Sequence, residues 1–251
     1  MHQPTERVLK VIGFFAEHKE SASLATLSRE LNIPKSTLLP ILNSMCDLGF
    51  LSKSEGGYIP GISLYALSSS FSENVPVFNF IRRELFALVS KLCETCYFGV
   101  LDGGDVLYLD KVDSPEPLRM LTTVGHRLPA YSTGIGKALL LNKSRSEIEE
   151  LYGNRLLPVT DKTVKSIDDL IFQLNEAKIL GYTSECEEST AYIRCFGVPI
   201  YKKGKIVAGI SVAIPLFRYD EKKLNDIVFI LKSFAKRIER IIESDGDKFF
   251  K

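Results

Sequence analysis

Three apolar stripes of helical period fall within the first 45 residues, and the break between the second and third is only Asn32-Ile33-Pro34. Val8, Val11, Ile12 and Phe15 form the first stripe, Leu24, Leu27 and Leu31 the second, and Leu38, Ile41, Leu42 and Met45 the third. Spacing of i, i+3, i+4, i+7 marks one face of a helix that must be buried. Ser23 can cap the second helix, Pro34 suits the first position of the third, and Gly49 ends it. So short a turn holds consecutive helices at a steep angle, and all three stripes close on one core. Phe50-Leu51-Ser52-Lys53 and Tyr58-Ile59-Pro60 then flank Glu55-Gly56-Gly57 as a hairpin. The pattern is a winged helix-turn-helix over residues 1–60.

The third helix turns Ser36, Pro40, Asn43 and Asp47 outward, and its first turn carries Lys35, Ser36 and Thr37. Short polar groups and one cation at a helix start suit phosphate oxygens and base edges. Lys53 in the hairpin can reach the backbone of duplex DNA. The expected DNA contacts are therefore Lys35, Ser36, Thr37, Asn43 and Lys53, with Asp47 opposing. Charge totals do not help: six bases face six acids in the first sixty residues, and the whole chain carries +1. A small helical protein-interaction module remains the alternative on these residues alone.

The rest reads as α+β, and 45% hydrophobic residues in 251 suffice for two cores. From Gly61 to Asn74 the pattern is helical but polar on one side; Pro76 interrupts it, and a long amphipathic helix follows with Phe80, Leu85, Leu88, Val89 and Leu92. We place a helical linker at 61–79 and a second domain at 80–251. Strands are expected at Tyr97–Leu101 and Val106–Val112 around Asp102-Gly103-Gly104-Asp105, and at Leu118–Val124. A loop from His126 to Thr133 leads to a helix from Gly134, and Ser144 and Ser166 begin two more. Strands near 182–185, 193–201 and 206–214 precede a closing helix. An antiparallel sheet bearing helices fits a sensor of the GAF or profilin-like type.

At this point four segments, in order, resemble one family. Ile33-Pro34-Lys35-Ser36-Thr37, with Leu48-Gly49-Phe50-Leu51 and Tyr58-Ile59-Pro60-Gly61, resembles the DNA-binding half of the IclR family of bacterial transcriptional regulators. Gly125 to Leu140, then Gly181-Tyr182 with Glu187-Glu188 and Arg194 to Ile200, then Ala208 to Val212, resembles its C-terminal half. The likeness runs over residues 6–242. It implies a homodimer or homotetramer that binds a double-stranded DNA operator and responds to a small organic-acid or aromatic effector. Many members carry Arg or Lys where this chain has Pro40, which removes a phosphate contact and threatens a kink in the recognition helix. The alternating serines of the last strand are here Ser211 and Ala213.

The resemblance maps an effector pocket onto Met120, Leu128, Gly134, Ile135, Glu185, Ile193, Cys195 and Ser211. Chemically, free N–H groups at the Gly134 helix start would receive a carboxylate, with Gly134 and Gly136 letting it approach the backbone. Lys137 reads as a solvated helix residue, and Glu187 and Glu188 as structural. A regulator gated by protein partners, its pocket vestigial, is the second reading.

Several classes are excluded. Five scattered cysteines do not make a disulfide framework, and Cys93-x-x-Cys96 lacks the second pair of a zinc site. We expect no metal and no cofactor. Gly134-Ile135-Gly136-Lys137 lacks the earlier glycine and following Ser or Thr of a phosphate loop. Gly209-Ile210-Ser211-Val212-Ala213 lacks the last glycine of a nucleophile elbow. A Cys195–His126 pair is the one remaining nucleophile arrangement, and no enzyme activity is expected. No apolar run reaches the roughly 18–20 residues of a membrane span, and nothing reads as a signal peptide, so a cytoplasmic protein without a membrane partner is expected.

Overall fold

The computed structural model describes residues 2–18, 20–117, 122–153 and 155–244, with backbone alone for 72–74. The chain divides into two compact units, Met1–Pro76 and Val77–Lys251.

The first unit holds α1 (Gln3–Glu17), α2 (Leu24–Glu30), α3 (Lys35–Asp47), the hairpin β1 (Leu51–Ser54) and β2 (Gly57–Pro60), and α4 (Ile62–Asn74). Ser23 Oγ accepts from Thr26 N–H at 3.1 Å and starts α2. The turn after α2 is pinned twice: Ile33 N–H donates to the Ser28 carbonyl at 3.1 Å, and Ser28 Oγ–H to the Ile33 carbonyl at 2.7 Å. Pro34 serves as the N-cap of α3, not its first residue, because its extended ψ of 139° falls outside the helix. Val11, Phe14, Phe15, Leu27, Leu38, Leu42, Met45 and Leu51 build the core. Ile41, expected inside, is only half-buried; with Pro4, Val8, Ile12, Pro40 and Leu48 it lines an apolar groove of about 440 Å³ between α1 and α3. Helix α3 runs unbroken through Pro40, so the expected kink does not interrupt it. The loss is one donor, which leaves the Ser36 carbonyl without its helical partner. The wing gains a third strand position: Ala22 and Tyr58 exchange hydrogen bonds of 3.0 and 2.9 Å. Gly57 makes this possible, since at φ +126° any Cβ would meet the Ala22 carbonyl oxygen at 2.4 Å.

The second unit begins with α5 (Val77–Leu92) and continues with β3 (Thr95–Asp102), β4 (Asp105–Val112), β5 (Arg127–Pro129), α6 (Gly134–Leu140), α7 (Arg145–Tyr152), α8 (Ile167–Leu180), β6 (Thr183–Cys186), β7 (Ile193–Lys202), β8 (Lys205–Pro215) and α9 (Leu224–Ser244). The six strands make one antiparallel sheet in the order β5-β4-β3-β8-β7-β6. Alternation sends Tyr97, Tyr108, Cys195 and Ala213 to the face packed against α6. Phe98 points the other way, its ring edge-on to Phe78 of α5 at 6.4 Å. With helices on both faces, β8 is buried continuously from Ala208 to Pro215. Ser144 and Glu147 form a complete capping box on α7, and Gly181 closes α8 in the left-handed conformation.

Expectation and structure part company before α6. Of the strand expected over 118–124, residues 118–121 lie outside the described residues, and 122–124 are not strand. The strand is instead β5, inside the expected loop, with Leu128 opposite Val106. Three residues are too few to show a period, so nothing in the pattern marks it.

Helix α6 is seated backbone on backbone. A Cβ at Gly136 would lie 2.2 Å from the Ala130 carbonyl oxygen, and one at Gly197 of β7 2.4 Å from the Gly134 carbonyl oxygen. Gly136 thus admits the chain's own Ala130 carbonyl, where the sequence reading has a ligand, while Gly134 packs against Cys195. Gly136→Ala is expected to destabilise the protein by about 3 kcal/mol, since backbone and not a flexible side chain must yield. Urea unfolding checks this: the midpoint should fall with the slope unchanged.

Candidate functional site

On the first unit, Lys35, Ser36, Asn43 and Lys53 are exposed and Thr37 is half-buried. Pro34 offers no side-chain acceptor to the start of α3, so the free amides of the first turn remain available to an outside anion. Asp47 is at the other end of α3, ~18 Å along the axis by helical rise, and does not oppose an anion at the first turn. Lys35, Ser36, Thr37 and Asn43 share α3, whereas Lys53 stands on β1.

On the second unit, a pocket forms where α6 meets the sheet. Its wall takes Leu128 from β5, Gly134 and Ile135 from α6, Cys195 from β7 and Ser211 from β8. Those five are among the effector residues expected from sequence. Ile193 is buried in the core without lining the pocket, Glu185 stands behind Cys195 as its partner in the β6–β7 register, and Met120 lies outside the described residues. The sequence reading misses Tyr97, Tyr108, Thr133 and Ser189, which also line it. Tyr97 and Tyr108 follow from strand alternation, and Thr133 from its place before Gly134 as an N-cap: its Oγ1 accepts from Gly136 N–H at 3.0 Å.

The pocket measures only about 10 Å³, room for roughly one water. It is rich in hydroxyl groups; among the described residues the buried Tyr97 Oη makes no hydrogen bond of normal geometry, and Thr122 on the same wall is its nearest polar influence. Burial pushes both tyrosine hydroxyls well above their ordinary range, so they stay protonated. Burial likewise pushes the Glu185 carboxyl up to about 7, against the hydrogen bonds it receives from Cys195 and the Glu188 amide. Ser189 Oγ also approaches Glu185 at 3.4 Å.

Lys137 corrects the sequence reading outright. It is 1% exposed, and its Nζ lies 2.5 Å from Glu188 Oε1. All seven α6 residues are buried, so this helix has no solvated face on which to place a lysine. Glu188 also takes Val164 N–H at 3.3 Å, which fastens the 187–188 turn to α6 and the segment before α8.

The remaining enzymatic arrangement fails on its electrostatics. The Cys195 thiol is raised by burial and then by Glu185, the reverse of what a nucleophile needs, while His126 is exposed. Among the described residues no three potential ligands group to hold a metal ion, and no helix is long and apolar enough to cross a membrane.

A winged helix-turn-helix on one unit and a sheet-borne pocket on the other define a class: DNA-binding transcriptional regulators with a sensor domain. Comparison with known proteins agrees. Residues 4–55 match the IclR helix-turn-helix domain, and residues 70–240 match the bacterial transcriptional regulator IclR C-terminal domain. The HTH-type transcriptional regulator KdgR of Escherichia coli is 32% identical over 239 residues, covering 92% of this chain and 90% of that protein. An IclR transcriptional regulator of Alicyclobacillus acidocaldarius superposes with a TM-score of 0.87 at 19% identity, covering 96% of this chain and 98% of the other. An IclR homologue of Microbacterium hydrocarbonoxydans, solved in complex with 4-hydroxybenzoate, superposes with a TM-score of 0.82 at 24% identity, covering 94% and 98%. The chain belongs to the IclR family of bacterial transcriptional regulators. Its relatives are regulators, not enzymes.

Glu185 sets a pH dependence. Its carboxyl ionises near 4.5 when exposed and near 7 in the fold, so the folded state holds the extra proton between those values. Stability from this group is full below pH 4.5 and is lost as pH rises through 7. Glu185→Gln should melt close to the native protein at low pH and roughly 6–12 °C above it at pH 8, read by calorimetry across that range.

Proposed function

We propose that the chain is a cytoplasmic homodimer or homotetramer that governs catabolic genes in response to a small organic acid or aromatic effector. Residues 1–60 read DNA, 61–79 link, and 80–251 sense. Lys35, Ser36, Thr37, Asn43 and Lys53 meet the operator. Leu128, Gly134, Ile135, Cys195 and Ser211 meet the effector; Glu185 supports them from behind, and Ile193 closes the core beneath.

The observation that carries the sensing reading is a hydroxyl-rich pocket in which, among the described residues, the buried Tyr97 hydroxyl is poorly satisfied, with Thr122 beside it. A buried donor without a partner is costly, and a carboxylate or phenol would satisfy it. Helix α6 has only seven residues, so its dipole adds little to that recognition. At about 10 Å³ the pocket must widen to admit an effector, and that couples occupancy to a change of conformation. The homologue bound to 4-hydroxybenzoate supports the same class of ligand.

Self-association is supported by α4, where Ile62, Tyr65, Leu67 and Phe71 are exposed and no described side chain is fully buried. Two copies place two recognition helices on a near-palindromic site.

Three measurements test this. Selection of bound genomic fragments should return a near-palindrome. Lys35→Ala should weaken its binding about tenfold and reduce the salt slope by about one, and Thr37→Ala should weaken it without that change of slope. In thermal melts, 4-hydroxybenzoate and related acids should raise the midpoint, and Ser211→Leu should abolish the rise. If no acid or aromatic compound moves it, the narrowness of the pocket favours gating by a protein partner instead.

A further inference from the structure

Strand β6 pairs with β7 only from Arg194 to Gly197, so the outer edge of β7 beyond Gly197 carries no strand. Helices from both faces of the sheet close round this edge. Leu141 and Ala177 approach from the α6 and α8 side, Ala235 from α9, and Val198 and Pro199 form the floor of a cleft of about 290 Å³. The edge is not a template for another strand. Pro199 has no N–H to offer, and Tyr201 N–H already donates to Glu239 Oε1 at 2.9 Å. The cleft is a cavity between side chains.

Its mouth is cationic. Lys178, Lys232 and Lys236 line it against one carboxylate, Glu239. Lys232 is held in place: its Nζ donates to the Leu180 carbonyl at 3.0 Å and lies 5.8 Å from the centroid of the Tyr182 ring. Gly181, at φ +73°, leaves it room, since a Cβ there would stand 2.7 Å from Nζ. Lys236 pairs with Glu239 Oε2 at 2.8 Å, and among the described residues Lys178 has no ion pair. An apolar floor under surplus positive charge suits one kind of occupant. The hydroxyl-lined pocket holds about 10 Å³ and none of these residues lines it.

We propose that this cleft is a second ligand site of the sensor unit, for a small amphipathic anion: a carboxylate or sulfonate carried on an aromatic or branched apolar body. The head pairs with the lysines while the body covers Val198, Pro199 and Ala235. Duplex DNA is the poorer occupant, because phosphates gain nothing from that floor.

The probe is 1-anilinonaphthalene-8-sulfonate, titrated into the full-length protein and followed by fluorescence. One dye per chain should bind, more weakly at higher salt. Lys178→Glu should weaken it about fivefold, as reversal of an exposed charge. Ala235→Leu should fill the cleft and abolish binding; if that variant does not fold, Lys178→Glu still decides. A crystal structure with the dye should show its sulfonate among the lysines. Dye seated in the α1–α3 groove or the hydroxyl-lined pocket overturns the proposal. So does an affinity indifferent to Lys178→Glu, or a cleft covered by a second copy of the chain. Loss of operator affinity in Lys178→Glu with dye binding intact would reassign the lysines to phosphate and sink it equally.

Discussion

The sensor unit depends on how closely α6 lies against β7. Gly134 and Gly197 remove the side chains that would hold the helix off the sheet, and the Thr183 hydroxyl donates to the Gly134 carbonyl at 2.6 Å across the join. This contact brings Ile135 over Gly99 and Gly209 and sets Cys195 beside the helix start. The hydroxyl-lined pocket is what remains between that start and the hydroxyls of the neighbouring strands. Its small volume and its position have one origin: a helix that cannot come closer and a sheet that cannot recede.

The same seating explains the electrostatics. A helix buried on all sides takes its lysine with it, and Lys137 is stabilised by the pair it makes with Glu188. Glu185, opposite Cys195 across the β6–β7 register, is driven toward its neutral form by the dry surroundings. Neutral polar groups therefore dominate the pocket wall, and a ligand meets donors and acceptors rather than fixed charge. In the DNA-binding unit the balance is opposite, with exposed side chains at an uncapped helix start and water all round.

Much of this was legible in the chain. Helices announce themselves when one face is buried and the caps are conventional, as with Ser23, Ser144, Ser166 and Gly181. The hairpins followed from Glu55-Gly56 and Gly103-Gly104 with alternating neighbours. What escaped lacked a period or had the wrong one. Strand β5 is too short to alternate; α6 was expected from Gly134, but its burial on every side, Lys137 included, was not. The pocket was legible in the residues that the family resemblance carried over, such as Cys195 and Ser211. Tyr97, which the β3–β8 register sets opposite Ser211, and Tyr108 were not found. The role of Gly136 was misassigned for a related reason: spacing says that a side chain is missing, while only the fold says what fills the space.

The Lys137–Glu188 pair joins α6 to a turn fifty-one residues further along the chain. A lone buried charge is far costlier than a buried pair or an apolar substitute. Neither residue is free to drift by itself, because the first replacement strands the other's charge in the interior. Across descendants of this protein the two positions should change together or not at all, and a lineage that exchanged both for apolar side chains would keep the fold while giving up the polar tie between helix and turn.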